Sequence, residues 1–433
     1  MDSGLGIGGH SVHIDETTTS KLDLFSPVTV DHSVSERYEL EFRPQSMGSN
    51  GGPVEFNVHA DEDLFTETDS LKVSGNVTLM KKVDGQWVIF PASEKGMISL
   101  ADNFFQSLWS NIIAKVNDTE IGDLNSISYP YSTYLQMVLG ARKDVGDTIV
   151  REYGMKSDWD WVLRDNKPTD FTIPLHNDIV TAHKYLPPNT KLGIVLRRTP
   201  LNFLVQIKDT NALKEEDLKI VIEDLSLKVV KYRVFDEVLN HHIQQAKKMP
   251  PHTQYTKNNL KTYAATQGSY DLSHYNLYSG KLPNRLYLML VDQAAYNGNI
   301  NMAQFKFEPF DVSEISLVIN GVRVPSKPLT YHKDIDEANI YRYFLENTGT
   351  GNLELESVAV PRKDFLKDKF IIPFDLSKTK DNGLYNHKPL RGSLSVCIKT
   401  RTALEKNVMV LCYASYDSIL HFVDDKAITD VVF

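Results

Sequence analysis

A chain of 433 residues with 41% hydrophobic and 24% charged residues is long enough for two or three domains around a large core. Its formal charge of −9, with Lys and Arg scattered, argues against a protein that binds nucleic acid through a basic face. No run approaches the ~18 apolar residues of a membrane helix, and the opening MDSGLGIGGHSVHIDETTTSKLD has neither a basic nor an apolar leader region, so no secretion and no membrane span are expected.

Residues 1–33, rich in Gly, Ser, Thr and His without periodicity, read as a flexible arm. From Val34 the chain alternates apolar and polar residues between Gly, Pro, Asn and Asp punctuation, as in RYELEFRP, GPVEFNVHA and DSLKVSGNVTLMKK. That is the pattern of half-buried strands. IIAKVNDTEI (112–121) sets Asn117-Asp118 between two β-forming runs, which predicts a hairpin. In YPYSTYLQMVLG, Tyr131, Tyr134, Leu135, Val138 and Leu139 fall at i, i+3, i+4, i+7 and i+8, the spacing of an amphipathic helix. TDFTIPLH, TKLGIVLRRT, LNFLVQIKD and DLKIVIEDLSLKVVKYRV read as strands that close a first unit near residue 233.

FDEVLNHHIQQAKKMPP reads as a short helix stopped by Pro250-Pro251. Strand patterns then restart in NLKTYAAT, SYDLSHYNLYSG and NRLYLMLVDQAAYNG. ISLVINGVRV (315–324) supplies a second hairpin with Asn320-Gly321 at its tip, and DEANIYRYFLENTGTG a second Tyr-bearing helical segment. DKFIIPFDLS, GSLSVCIKT and NVMVLCYAS end the series. The last two flank a turn near Leu404-Glu405, which would set Cys397 and Cys412 opposite each other on paired strands as two buried thiols. Two cysteines are too few for a disulfide scaffold.

The two hairpin asparagines are 203 residues apart, and the phrases beginning at Phe171 (FTIPLHND) and Phe370 (FIIPFDLS) are 199 apart. An offset held across two landmarks points to duplication, and two copies are too few for a solenoid. The expected fold is therefore all-β: two tandem jelly rolls, 34–233 and 234–433, with short interrupting helices.

No catalytic constellation stands out, and no catalytic, cofactor-binding or metal-binding residue is assigned. Gly4, Gly6 and Gly9 satisfy G-x-G-x-x-G, but no strand precedes them. His10, His13, His241 and His242 lack the partners that would complete a metal set. Asp158 and Asp160 among Trp159 and Trp161 invite a carbohydrate-binding or glycosidase reading, with packing of a half-buried strand as the simpler use. The acidic runs Asp61-Glu62-Asp63 and Glu215-Glu216-Asp217 read as solvated loops. The sequons at Asn76 and Asn117 carry no weight without secretion.

SGKLPNRLYLMLVDQAAYNG, FKFEPFDVSEISLVINGVRVPSKPL and YRYFLENTG resemble the second half of the major capsid (hexon-like) proteins of Polinton or Maverick elements and adintoviruses. GGPVEFNV, FFQSLWSNIIAKVNDTEI, SYPYSTYLQMVLG and IPLHND extend the resemblance to roughly residues 34–433. Leu282-Pro283-Asn284-Arg285 and Pro325-Ser326-Lys327-Pro328 are its most specific pieces. The arm has no counterpart, and SDWDWVLRDNKPTD diverges in length. The resemblance implies a double jelly-roll subunit without catalysis or cofactor. Homotrimers with a pseudo-hexagonal outline would tile an icosahedral shell around double-stranded DNA, with penton and minor capsid proteins as partners and no sequence-specific nucleic-acid contact. The chain would be made in the host cytoplasm and assembled there or in the nucleus. Tyr129, Tyr131, Tyr134, Tyr341 and Tyr343 are candidate interface anchors, with core packing the ordinary use of each. Two other readings are a minor, penton-like capsid protein, normally a single jelly roll, and a carbohydrate-binding β-sandwich.

Overall fold

Val54, Phe56 and Val58 are buried while Glu55 between them is exposed, and this period-two alternation is what lays a strand flat on a core. The computed structural model describes residues 33–46, 52–123, 127–140, 167–208, 213–332, 337–348, 360–378, 390–423 and 426–429.

The first half holds β1 (Val34–Phe42), β2 (Val54–Val58), β3 (Leu64–Val83), β4 (Gln86–Ile89), β5 (Ile98–Leu100), β6 (Trp109–Val116), β7 (Thr119–Ile121), β8 (Thr169–Pro174), β9 (Leu192–Arg198), β10 (Val205–Ile207) and β11 (Leu218–Val234). The second half holds β12 (His252–Ala265), β13 (His274–Lys281), β14 (Arg285–Asp292), β15 (Val312–Ile319), β16 (Val322–Thr330), β17 (Ile371–Asp375), β18 (Arg391–Thr400), β19 (Val408–Val423) and β20 (Lys426–Thr429).

Sheet order shows the duplication directly. In the first half β1-β11-β3-β8 form one antiparallel sheet, with β4 also on β3, and β2-β9-β6-β7 form the other. In the second half the two sheets run β12-β19-β14-β17, with β20 added to β19, and β13-β18-β15-β16. The eight strands of these two four-stranded orders correspond place for place, while β4, β20 and the small β5-β10 sheet are additions peculiar to one half. Two facing four-stranded sheets with this winding make a jelly roll, so the chain is a double jelly roll.

The predicted helices are present at Ser128–Gly140, Asp236–Ala246 and Ala338–Asn347. Two local readings are corrected. Leu201–Leu204 of LNFLVQIKD is a helical turn, and only Val205–Ile207 is strand. Cys397 and Cys412 are free thiols on β18 and β19, which belong to opposite sheets and do not pair. In a jelly roll this connection crosses between sheets, so adjacent alternating runs do not make a hairpin.

The cores are interleaved. Tyr131, Tyr134, Leu135, Met137, Val138 and Phe203 of the first half join the hydrophobic cluster of the second. Tyr255, Leu420 and Ala427 of the second join the cluster of the first. The two sandwiches therefore share buried apolar surface, worth roughly 25 cal/mol per Å² removed from water.

Candidate functional site

The seam between the sandwiches gathers the most concentrated buried polar and aromatic chemistry among the described residues. Its apolar part is a plug. The helix Ser128–Gly140 follows the first hairpin and carries Tyr131, fully buried, onto Phe203, Tyr296, Phe305 and Phe307 at ring-centroid distances of 5.5–6.2 Å. One turn on, Tyr134 stacks on Phe305 at 4.5 Å with the rings 7° from parallel. The Tyr131 hydroxyl reaches the Gln304 carbonyl. These rings sit within the range where aromatic pairs add to simple burial.

Its polar part is a cap on a sheet edge. Among the described residues β12 pairs with β19 on one side only, and an open edge presents N–H and C=O groups that need partners. The first sandwich supplies them. Thr181 Oγ1 accepts the N–H of Thr256 at 2.7 Å, Asp178 Oδ2 that of Asn258 at 3.2 Å, and Asp123 Oδ2 that of Leu260 at 2.6 Å. The three donors are every second residue, as strand geometry requires. Asp178 Oδ1 also accepts from the Asn258 side chain at 2.9 Å, and the N–H of His183 donates to the Gln254 carbonyl. Asn177, which precedes Asp178, fixes the turn by accepting the Ile179 N–H and donating to the Ile112 carbonyl.

Burial pushes the Asp178 carboxyl up to about 7, against the two hydrogen bonds from Asn258 that favour its ionised form. Burial pushes His176 down to about 4. Ser132 and Tyr413 share a hydrogen bond of 2.8 Å across the seam. Asp123, Asp178, Ser132, Asn258 and Tyr413 line a cavity of about 30 Å³, the room of one water. A pair of carboxyls with amides and hydroxyls holds two bodies together. It offers no nucleophile beside a base, and among the described residues no group of three or more His, Cys, Asp or Glu could hold a metal.

The C-terminal hairpin closes the seam from the other side: Leu420, Phe422 and Ala427 pack on the first core, and Thr119 Oγ1 donates to the Ala427 carbonyl.

The residues singled out in the sequence fall elsewhere. Gly4, Gly6, Gly9, His10, His13, Asp158, Trp159, Asp160 and Trp161 lie outside the described residues. His242 meets the Phe65 ring edge-on at 5.5 Å. Asn76 donates to Asp224, and Asn117 sits in its hairpin. Tyr129, Tyr131 and Tyr134 are buried, whereas Tyr341 and Tyr343 are half-buried on the second helix. Glu215–Asp217 is an exposed turn, as read. The other acidic run is not merely solvated. Asp61 pairs with Lys231, a lysine only 2% exposed that also donates to the His59 carbonyl, and Asp63 pairs with Arg233. A buried lysine needs such partners; the signal was Lys231 at a core position of an apolar strand.

No family model matches the chain. An uncharacterized protein of Caenorhabditis elegans is 20% identical over 239 residues, which span 53% of this chain and 56% of that protein; the match thus covers little more than half of the relative's length. By structure the chain is similar to one from the cryo-EM structure of the Sputnik virophage, with a TM-score of 0.60 and 12% identity, covering 96% of this chain and 93% of that one. It is similar to the Faustovirus major capsid protein, with a TM-score of 0.57 and 7% identity over 92% of each chain. It is also similar to the mavirus major capsid protein, with a TM-score of 0.52 and 11% identity, covering 99% of this chain and 96% of that one. At these identities the likeness shows a shared fold over both sandwiches.

Proposed function

We propose that this chain is a major capsid protein, the subunit of trimeric, pseudo-hexagonal capsomers in an icosahedral shell around double-stranded DNA. The observation that carries the reading is the coverage: both sandwiches together, not one, superpose on major capsid proteins over more than nine-tenths of either chain. Two equivalent sandwiches per chain give a trimer six similar lobes, which is what lets three chains fill a site with six neighbours. A single-sandwich penton role leaves the duplication without a use.

The division into an arm at 1–33 and jelly rolls at 34–233 and 234–433 belongs to this reading, as do residence in the virion, penton and minor capsid proteins as partners, and a structural rather than enzymatic role. The seam supports that last point, since its polar groups are spent on a sheet edge. The net charge of −9 fits a shell whose genome contacts are left to basic partners. Within capsid proteins, the LPNR and PSKP phrases support a Polinton, Maverick or adintovirus lineage.

The test is the mass and outline of the purified protein. Trimers of about three times 49.1 kDa with a hexagonal outline in negative stain are expected. A chain that stays monomeric at high concentration across salt conditions, with no sheet or shell, would overturn the proposal.

A further inference from the structure

The C-terminal hairpin has two faces of different chemistry. One carries Leu420, Phe422 and Ala427 onto the core of the first sandwich, where Thr119 of β7 donates to the Ala427 carbonyl. The other sets His421 of β19 between His252 of β12 and Ile428 of β20, each directly opposite it in the ladder. The Phe422 N–H donates to the Pro251 carbonyl, so the entry to β12 anchors the hairpin as well. Whatever disturbs β12 against β19 at this row therefore acts on the contact that closes the seam.

The two imidazoles stand with ring centroids 5.7 Å apart and planes 33° from parallel. His252 is exposed, and its Nδ1 lies 3.4 Å from the Pro250 carbonyl. His421 is half-buried, and its Nε2 is shut off from solvent with no hydrogen-bond partner among the described residues. A neutral ring can keep a bare lone pair there, whereas a protonated ring would hold a charged N–H without an acceptor. Like charges directly opposite on paired strands repel besides.

The surrounding charges do not relieve this. Lys426 of β20 stands opposite Val423, on the face that His421 shares by strand alternation. The turn that caps β12 brings up His183 and Lys184, bound through their N–H groups to the Gln254 carbonyl and Thr253 Oγ1. On β7, Glu120 is paired with Lys115, and Asp417 lies well back along β19. Asp424, Asp425 and Asp430 adjoin the hairpin in sequence and lie outside the described residues. Burial and the facing His252 both hold the His421 ring below its ordinary 6.5.

We infer that the His252–His421 pair is an acid-sensitive catch: with both rings neutral the C-terminal hairpin stays seated on the first sandwich, and with both protonated the end of the β12–β19 ladder frays and unseats it. The sign follows from linkage. The open state takes up protons more readily than the closed one, so closure is complete above the ordinary histidine range and is lost as pH falls through it. The catch belongs to the single chain and stands apart from the trimer reading.

Hydrogen exchange of the intact protein at about pH 7.5 and about pH 5, with rates corrected for the intrinsic effect of pH, tests it. In acid, opening of Ser418–Val423 and Lys426–Thr429 should rise about three- to tenfold relative to β14. His252→Gln changes an exposed side chain and should remove most of that rise while leaving protection at neutral pH unchanged; His421→Gln should do the same. His252→Glu sets a carboxylate opposite His421, so mild acid should then tighten the hairpin, a reversal that a merely structural role would not give. His176→Gln should leave the wild-type rise in place. A rise that survives His252→Gln, a His252→Glu variant that still opens in acid as the wild type does, or exchange that rises equally through the whole first sandwich would overturn the catch.

Discussion

The side-chain oxygen of Asn117 accepts the backbone N–H of Lys191 at 2.8 Å, and that of Asn320 accepts the N–H of Ser393 at 2.9 Å, at the same turn of the two sandwiches. The main chains answer in kind, Asn117 N–H to the Lys191 carbonyl and Asn320 N–H to that of Ser393, both at 3.0 Å. Each asparagine also holds a left-handed backbone, with φ of 46° and 50°, and is followed by Asp118 at 66° or Gly321 at 83°. So each serves twice: it makes the two-residue turn, and it ties the hairpin tip to the start of the neighbouring strand.

Gly392 makes room for this in the second sandwich. Its φ is 146°, and a Cβ there would lie 1.8 Å from Asn320 Oδ1. Gly392→Ala is expected to cost about 2–4 kcal/mol, and Asn320→Gly about 1 kcal/mol. The double variant should cost less than the sum, because removing the amide relieves the clash but not the backbone strain. Urea unfolding of the four proteins measures this, and strict additivity would show that the two residues do not meet.

The hairpins were legible because turn chemistry is local: Asn-Asp and Asn-Gly between β-forming runs need no knowledge of the fold. The helix Ser128–Gly140 was legible from spacing alone. What Tyr131 and Tyr134 bury against was not, since Phe305 lies more than 170 residues away and any apolar face would satisfy the same pattern. Asp123 and Asp178 gave no signal, because their partners are backbone N–H groups of β12, which every sequence supplies. Cys397 and Cys412 were misplaced for a related reason: period-two alternation marks a strand but not the sheet it joins.

Tyr134 couples the two sandwiches. It stacks on Phe305 and meets Phe307 edge-on at 5.8 Å. Tyr134→Ala leaves a cavity in a fully buried place and should cost about 3–5 kcal/mol. Because the loss falls on the seam, calorimetry of the variant should resolve two transitions where the wild type has one. A single transition, merely shifted, would mean that the sandwiches fold as one unit without the plug.

Cys412 is fully buried and its thiol is pushed up by burial, so it carries little thiolate at neutral pH. Cys397 is half-buried on the opposite sheet. A thiol reagent should therefore label no more than Cys397 in the native protein and both residues in denaturant. Rapid native labelling of Cys412, read by peptide mass, would contradict this burial.

The cap on β12 makes stability depend on pH through Asp178. Its carboxyl titrates near the ordinary carboxylate range when unfolded and at about 7 when folded. Between those values the folded state holds the extra proton, so the contribution of this group is complete below the unfolded value and is lost as pH rises toward 7. A shift of about three units is at most about 4 kcal/mol. Asp123 faces the same cavity and adds to the upward push, while the Asn258 hydrogen bonds and Lys257 oppose it. His176 works the other way: held neutral and pushed down to about 4, it makes stability fall as pH drops below its ordinary 6.5. Asp178→Asn keeps an acceptor for the Asn258 N–H but cannot ionise. The stability of wild type minus that of D178N should therefore decline between pH 4 and 7 and flatten above 8, with the His176 contribution cancelling in the difference. Repeating the comparison in a His176→Gln background should reproduce the slope. Parallel pH curves for wild type and D178N would show that Asp178 stays ionised across the seam and that the N–H groups of β12 are held by a charge.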